Sequence, residues 1–319
     1  MAEELLDRFR GCMLGLAVGD ALGMPVEGLT RDQIRDCLGE VREMVAPDQD
    51  HFHCGLSPGQ YTDDTEQTLL LAETIIEAGF FDVERFTSKL MEWGRCWTLD
   101  PSLNRGVGWT SKTAIQDLLR DRPWQEAGLS TPTCGSAMRT APIGLVYHCN
   151  LDLVSRYADL QSLPTHSSKA ARAGSVAVAV GVALSLFGFA PPRVLEMAAS
   201  FSERADREFA RRLLIVKELL DLDPPEALAE IGTSPMVAET VPAAFYCHLK
   251  FEPEEALIAA ASSGGDTDTI ASIAGALAGA SRGSAWIPER WLSCLEEKER
   301  IEQVAADLAD IAARICPRI

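Results

Sequence analysis

Residues 5–19 read Leu5-Leu6-Asp7-Arg8-Phe9-Arg10-Gly11-Cys12-Met13-Leu14-Gly15-Leu16-Ala17-Val18-Gly19. Leu5, Phe9, Met13 and Leu16 recur at the period of a helix with one apolar face. Gly11, Gly15 and Gly19 recur every four residues, and such a row lets a second backbone approach closely. The same helical period returns in Leu69, Leu70, Ile75 and Ile76, with Glu73 turned away, and again in Phe86, Leu90 and Trp93. Further helices are expected over about 110–121, 152–162, 167–190, 205–221, 236–249, 253–263, 267–281 and 296–315. Alternation of the strand type, bounded by turns, is scarce. The expected fold class is therefore all-α: one compact multi-helix domain over residues 1–319, without a linker, an internal repeat or a break in composition.

The chain has 319 residues, 47% of them apolar and 24% charged. That is the composition of a globular protein able to bury a large core. Asp and Glu number 47 against 29 Lys and Arg, a formal charge of −18. A nucleic-acid backbone or an anionic membrane surface requires a local basic patch, and no run of basic residues exists, so neither is an expected partner. Cations, or neutral and cationic protein surfaces, fit the charge better. The nine cysteines, at 12, 37, 54, 96, 134, 149, 247, 294 and 316, form no Cys-x-x-Cys pair. Free thiols in a reducing cytoplasm are the simplest expectation. The acidic start Met1-Ala2-Glu3-Glu4 lacks the basic region of an export signal. Ala173–Pro192 carries no charge and reaches membrane-span length, yet Gly174, Ser175, Gly181, Ser185 and Gly188 make it read as a central buried helix.

Residues 44–62 are the longest stretch without helical pattern, and they run into Tyr61-Thr62-Asp63-Asp64-Thr65. Long irregular loops in compact domains tend to be functional. Asp63 with Glu66 three residues on has the spacing of a capping box. The second acidic group, Gly264-Gly265-Asp266-Thr267-Asp268-Thr269, lies between the apolar runs Ala256–Ala261 and Ile270–Gly275. Two carboxylates in such surroundings are costly unless a cation pairs with them, and no Lys or Arg is near in sequence. Oxygen ligands without clustered His or Cys suit Mg²⁺ or Mn²⁺ rather than Zn²⁺. Four aspartates carry the charge that two divalent ions neutralise, with the hydroxyls of Thr62 and Thr269 completing the oxygen shells. A one-metal site or a structural Ca²⁺ site is also compatible with these residues.

Gly19-Asp20-Ala21-Leu22-Gly23, Pro25-Val26-Glu27-Gly28, Tyr61-Thr62-Asp63-Asp64-Thr65, Gly135-Ser136-Ala137-Met138-Arg139-Thr140-Ala141-Pro142, Thr165-His166 and Gly264–Thr269 follow one another in the chain. Together, in this order, they resemble the ADP-ribosylglycohydrolase family, which includes the dinitrogenase reductase activating glycohydrolases. The resemblance implies an all-α fold with two divalent cations, Mg²⁺ or Mn²⁺, in a cleft. It implies Thr62, Asp63, Asp64, Asp266, Asp268 and Thr269 as metal ligands, with Asp64 and Asp266 also counted with the catalytic machinery. Glu27 matches the glutamate beside the scissile glycosidic bond. Thr131 to Ser136, with Cys134 and Gly135, match the loop whose amides hold the diphosphate. Met138 lies in the same motif, and His166 matches a histidine of the substrate pocket. The implied partner is an ADP-ribosylated protein or another ADP-ribose conjugate.

Two positions depart from the family pattern. Cys134-Gly135 stands where many members have Asn-Gly, and Gly106 stands at about the place where arginine-directed bacterial members carry an aspartate. Arginine linkage is nevertheless expected over serine linkage, because an acidic protein attracts a cationic acceptor region, and a carboxylate placed at 106 is expected to raise that activity. His51-Phe52-His53-Cys54 lacks a fourth partner at finger spacing and reads as a solvated loop. Trp109 is a candidate to line an adenine pocket, whereas helix packing accounts for Trp93 and Trp97. Two alternatives remain at this point: an isoprenoid-synthase-like enzyme, whose aspartate motif Asp63-Asp64-Thr65-Glu66-Gln67 imitates but does not complete, and a non-catalytic relative.

Overall fold

In the computed structural model, which describes residues 2–317, helix Ala2–Gly23 runs antiparallel to helix Thr267–Arg282. Their backbones touch. A Cβ at Gly15 would lie 2.4 Å from the carbonyl oxygen of Gly275, and one at Gly19 would lie 2.1 Å from that of Ala271. From the other side, a Cβ at Gly275 would lie 2.0 Å from the Gly15 oxygen, and one at Gly279 1.9 Å from the Gly11 oxygen. The glycine row therefore has the packing role its spacing suggests. It brings the last turn of the first helix, with Asp20, and the following turn Met24–Val26 beside the N-terminus of the second, Asp266–Thr269.

Helix Lys169–Leu186 forms the centre. Every residue from Ala173 to Leu186 is buried, under helices Ala141–Val146, Leu151–Ser162, Pro191–Ser202, Val237–Lys250 and Thr267–Arg282. It is long and apolar enough for a membrane span, but 83% of it lies inside the fold. Among the described residues there are helices and no strands, which agrees with the all-α expectation. Two isolated bridges, Leu129 with His166 and Thr133 with Met236, tie loops together.

Several details differ from the sequence reading. Helices Arg31–Leu38, Pro191–Ser202 and Pro224–Ile231 were not anticipated. Two of them begin with Pro-Pro, which suits a first helical turn because the missing N–H has no partner there anyway. Residues 205–221 hold two short helices, Arg207–Leu214 and Val216–Leu219, not one. The cysteines are not all free: Cys149 and Cys316 form a disulfide across 167 residues, while the other seven are thiols. The bond joins the segment after Ala141–Val146 to the end of helix Lys298–Ile315, a proximity that only packing creates.

Replacing Gly15 by Val should destabilise the protein by about 3 kcal/mol, the upper end of ordinary overpacking costs, because the new side chain meets backbone and not a movable side chain. Urea unfolding measures this, and an unchanged midpoint would show that the two helices can separate freely.

Candidate active site

The first acidic pair enters the site at a helix start. Thr62, not Asp63, caps helix Asp63–Ala78, its hydroxyl accepting the Asp64 N–H at 3.4 Å. Asp63 and Asp64 thus lie in the first turn, where the helix dipole favours negative charge. The segment is held by a residue to which the sequence reading gives no role, Asp20. Its carboxylate accepts the N–H and hydroxyl of Thr62 at 3.0 and 2.9 Å, and those of Thr65 at 2.9 and 2.6 Å. The available signal is a lone acid between Gly19 and Ala21 in the otherwise uncharged stretch Gly11–Gly23.

The second pair stands at the start of helix Thr267–Arg282. Gly265, with φ of +75°, accepts the Gly28 N–H at 2.7 Å and donates its own N–H to Leu29 at 2.8 Å. This pins the segment after Glu27 to the Asp266 loop. Asp266 Oδ2 accepts the Thr240 hydroxyl at 2.8 Å and the Cys134 thiol at 3.1 Å. Thr269 donates its N–H to Asp268 at 2.8 Å and its hydroxyl to Asp64 at 3.4 Å, while the Thr62 hydroxyl lies 3.5 Å from Asp268. Residues some two hundred positions apart therefore form one cluster.

Glu27, Asp63, Asp64, Asp266, Asp268 and Thr269 share a cavity of about 350 Å³ with Gly106, Thr131, Cys134, Gly135, Met138 and His166. Of the predicted site residues, Thr62 and Ser136 do not line it. Thr62 lies beneath, held by Asp20. Ser136 is fully buried, its hydroxyl accepting from Ser175 and its carbonyl from Gln161, so its side chain supports the floor. The wall also includes Trp109, Thr110, Ser111, Pro235 and Met236, of which only Trp109 was considered from sequence. Trp109 is 67% exposed at the rim, while Trp97 is buried.

Burial dominates the electrostatics. The carboxyls of Asp64 and Asp268 are held well above their ordinary range by desolvation and by the other acids, and Asp63 is pushed up to about 8 mainly by burial. The Glu27 carboxyl is also held well above its usual range, first by desolvation, then by Asp268 and Asp266. One buried cation stands near. Arg139, fully enclosed, donates to Gln67, whose amide donates to Asp63 at 2.6 Å. It touches no aspartate and leaves the cluster's charge uncompensated. Asp64 Oδ2 is buried without a hydrogen-bond partner, an expensive condition for a carboxylate. A set of aspartate and threonine oxygens with one orphaned carboxylate oxygen fits hard divalent cations.

Arg139 also donates to Thr165 Oγ1 at 2.8 Å, which leaves the Thr165 proton for His166 Nδ1 at 2.8 Å. His166 Nε2 then carries the ring's proton, facing Thr133 Oγ1 at 3.1 Å. Burial lowers the His166 pKa to about 3, so the ring is a neutral donor. Thr165 does not cap the next helix; Ser168 does. A Cβ at Gly135 would lie 2.8 Å from His166 Cε1, so Gly135 makes room for this ring. The Cys134 amide is engaged with the Pro235 carbonyl at 3.1 Å.

Two readings are corrected here. The His51–Cys54 loop is not solvated at its histidines: His51 is 8% and His53 3% exposed, and His53 Nε2 lies 2.7 Å from Glu27 Oε2. The loop folds back over Glu27, a contact that finger-type spacing rules cannot detect. Gly106 has φ of +88°, and a Cβ there would lie 2.5 Å from His53 Cε1. A side chain at 106 is therefore strained and collides with the imidazole, which reverses the expected benefit of an aspartate.

An all-helical domain with acidic helix starts facing one cavity defines a hydrolase of ADP-ribosyl bonds once its relatives are considered. The model of the ADP-ribosylglycohydrolase family matches residues 1–317. An uncharacterised protein of Archaeoglobus fulgidus is 44% identical, over 97% of this chain and 98% of its own length. The ADP-ribosylarginine hydrolase Tri1 of Serratia proteamaculans is 29% identical, over 96% of this chain and 80% of its own. The ADP-ribosylhydrolase ARH3 of Mus musculus is 30% identical, over 96% and 92%. A solved ADP-ribosylglycohydrolase-related protein complex superimposes with a TM-score of 0.73 at 29% identity, covering 97% of this chain and 99% of its own. The chain belongs to the ADP-ribosylglycohydrolase family and is an enzyme of ADP-ribosyl hydrolysis, which removes the isoprenoid-synthase and non-catalytic alternatives.

Between pH 7.5 and 8.5, free histidine is largely neutral, so the buried acids set the sign of the pH dependence of stability. Asp63 binds a proton in the folded state up to about 8 but loses it near 3.8 when unfolded. The folded state then holds more protons, and stability falls as pH rises through this window. Melting temperature measured in EDTA should drop from pH 7.5 to 8.5, and Mn²⁺ should abolish the slope. A flat profile in EDTA would mean that the acids are not held protonated. Gly106→Asp should lower both the melting temperature and turnover; a more active variant of wild-type stability would show that His53 yields the space.

Proposed function

We propose that the protein removes ADP-ribose from protein side chains by metal-dependent hydrolysis of the glycosidic bond, with arginine linkage favoured over serine. The observation that carries this reading is the orphaned Asp64 Oδ2 within four buried aspartates that share a cavity with Glu27. Two divalent cations, Mg²⁺ or Mn²⁺, held by Thr62, Asp63, Asp64, Asp266, Asp268 and Thr269, would supply the positive charge that neutralises the cluster and orients the ribose hydroxyls.

In hydrolysis the bond from the anomeric carbon to the acceptor breaks. Water delivers hydroxide to that carbon and a proton reaches the acceptor. Cleavage leaves positive charge on the ribose, which nearby carboxylates stabilise. Glu27 is the group placed to move the proton. Burial, and then the neighbouring acids, hold its carboxyl above the usual range, the direction that a general acid near neutral pH requires. The neutral His166 donates to Thr133 Oγ1 on the cavity wall and brings no charge of its own. Thr131, Cys134, Gly135 and Met138 form the adjoining wall, where the resemblance places the diphosphate.

Arginine linkage is supported by the net charge of −18 and by the likeness to Tri1. With Gly106 in place of a carboxylate, guanidinium recognition falls to another loop acid such as Asp100 and to the acidic field, which gives modest selectivity.

Matched arginine- and serine-linked peptides, assayed with Mn²⁺ and with EDTA, test the function. Wild type should turn over the arginine peptide faster, and EDTA or Asp266→Asn should abolish activity. Glu27→Gln should lose on the order of a hundredfold in kcat while metal binding and ADP-ribose affinity persist, the usual contribution of a positioned acid or base. Cleavage of the serine peptide alone would reverse the linkage assignment, and metal-independent turnover would end the proposed mechanism.

A further inference from the structure

The His51-Phe52-His53 turn is built around Glu27 and is not used by the reaction as described above. His51 Nε2 lies 2.7 Å from the Glu27 carbonyl oxygen. The His53 backbone N–H donates to His51 Nδ1 at 3.1 Å, so Nε2 is the protonated nitrogen of that ring and donates to Glu27. The second ring meets the side chain of the same residue, His53 Nε2 lying 2.7 Å from Glu27 Oε2. Phe52 packs on both imidazoles, with ring centres 4.4 and 4.3 Å away, and its own ring is exposed. Gly106 leaves the room in which His53 sits. One loop thus grips Glu27 at its main chain and at its carboxyl.

The grip has a physical purpose. A glutamate has three rotatable side-chain bonds, and freezing them is entropically costly. Glu27 also faces Asp268 and Asp266, whose like charge drives an ionised carboxyl away from the cavity. A lysine would hold it but would add a permanent charge. A neutral imidazole supplies one directed N–H donor and no net charge. We propose that His53 is a positioning residue for Glu27: its Nε2–H holds the Glu27 carboxyl beside Asp268, while His51 fixes the backbone from which Glu27 extends. The proposal rests on the proton-transfer role of Glu27 given above. Glu27, His53 and Asp268 also offer ligand atoms within 4.8 Å of one another, so the test must separate positioning from direct metal ligation.

The experiment is a double-mutant cycle on the Mn²⁺-loaded enzyme with the arginine-linked peptide. His53→Leu removes the donor at similar volume, and His53→Gln keeps an N–H. His53→Leu should lower kcat by on the order of tenfold to a hundredfold, as loss of a supporting hydrogen bond does, with KM and Mn²⁺ affinity unchanged. His53→Gln should recover most of the loss. In a Glu27→Gln background, His53→Leu should cost nothing more, because its effect passes through Glu27. An equal loss in that background, or weakened Mn²⁺ binding by His53→Leu, would overturn the proposal. If His53→Leu does not fold, ¹⁵N imidazole spectra of the wild-type holoenzyme decide: an Nε2–H signal that moves in Glu27→Gln supports positioning, and an unprotonated Nε2 rejects it. Full turnover by Glu27→Gln itself would remove the role of Glu27 and this proposal with it, whereas a slowed Glu27→Gln in which His53→Leu still costs its full effect would remove only the latter.

Discussion

Everything at the site depends on how closely helix Ala2–Gly23 approaches helix Thr267–Arg282. Ordinary side chains at Gly11, Gly15, Gly19, Gly275 and Gly279 would push the two axes apart, since each added Cβ meets backbone. The displacement would carry Asp20 away from Thr62 and Thr65, and the Asp266–Thr269 turn away from Asp63 and Asp64. A row of absent side chains is thus the geometric precondition for an acid cluster formed by distant parts of the chain. Backbone contact at these glycines places the cluster on two closely packed helices, which favours a preorganised site.

The cluster opposes folding. Burying four aspartates with Asp20 and Glu27 raises their proton affinity, and among the described residues the enclosed cation nearby, Arg139, reaches them through Gln67. Asp20 is different in kind from the rest. Its four hydrogen bonds from Thr62 and Thr65 satisfy its oxygens and give it an architectural role. The remaining acids have fewer donors, and Asp64 Oδ2 has none. Stability given up at a functional site in this way is a common trade, recovered here by a core centred on helix Lys169–Leu186.

Loops complete the cavity, and they are coupled. The 44–62 loop brings His51 and His53 to Glu27, the 98–109 loop places Gly106 against His53, and the 131–136 loop is tied to Pro235 and Val237 through main-chain bonds. Glu27 and Gly106 therefore cannot be considered separately: a change at one acts through the imidazole between them. His166 is set on the opposite wall by a chain from Arg139 through Thr165, which fixes its tautomer without charging it. Both walls present neutral histidines to a negative centre, an arrangement that preserves the cluster's charge for cations.

The helical period in Leu5, Phe9, Met13 and Leu16, the glycine row, and two aspartate pairs bracketed by apolar runs are properties of local sequence, and they determined the helical class and the identity of the acids. They do so because helix periodicity and desolvation act within a few residues. Tertiary structure alone decided which residues meet. Asp20 became a hinge-pin for Thr62 and Thr65, Ser136 went to the floor, Cys149 found Cys316, and His53 closed on Glu27 in the space left by Gly106. These contacts join residues separated by tens to hundreds of positions, and no periodicity or spacing along the chain encodes such a meeting. It exists only after the helices have packed.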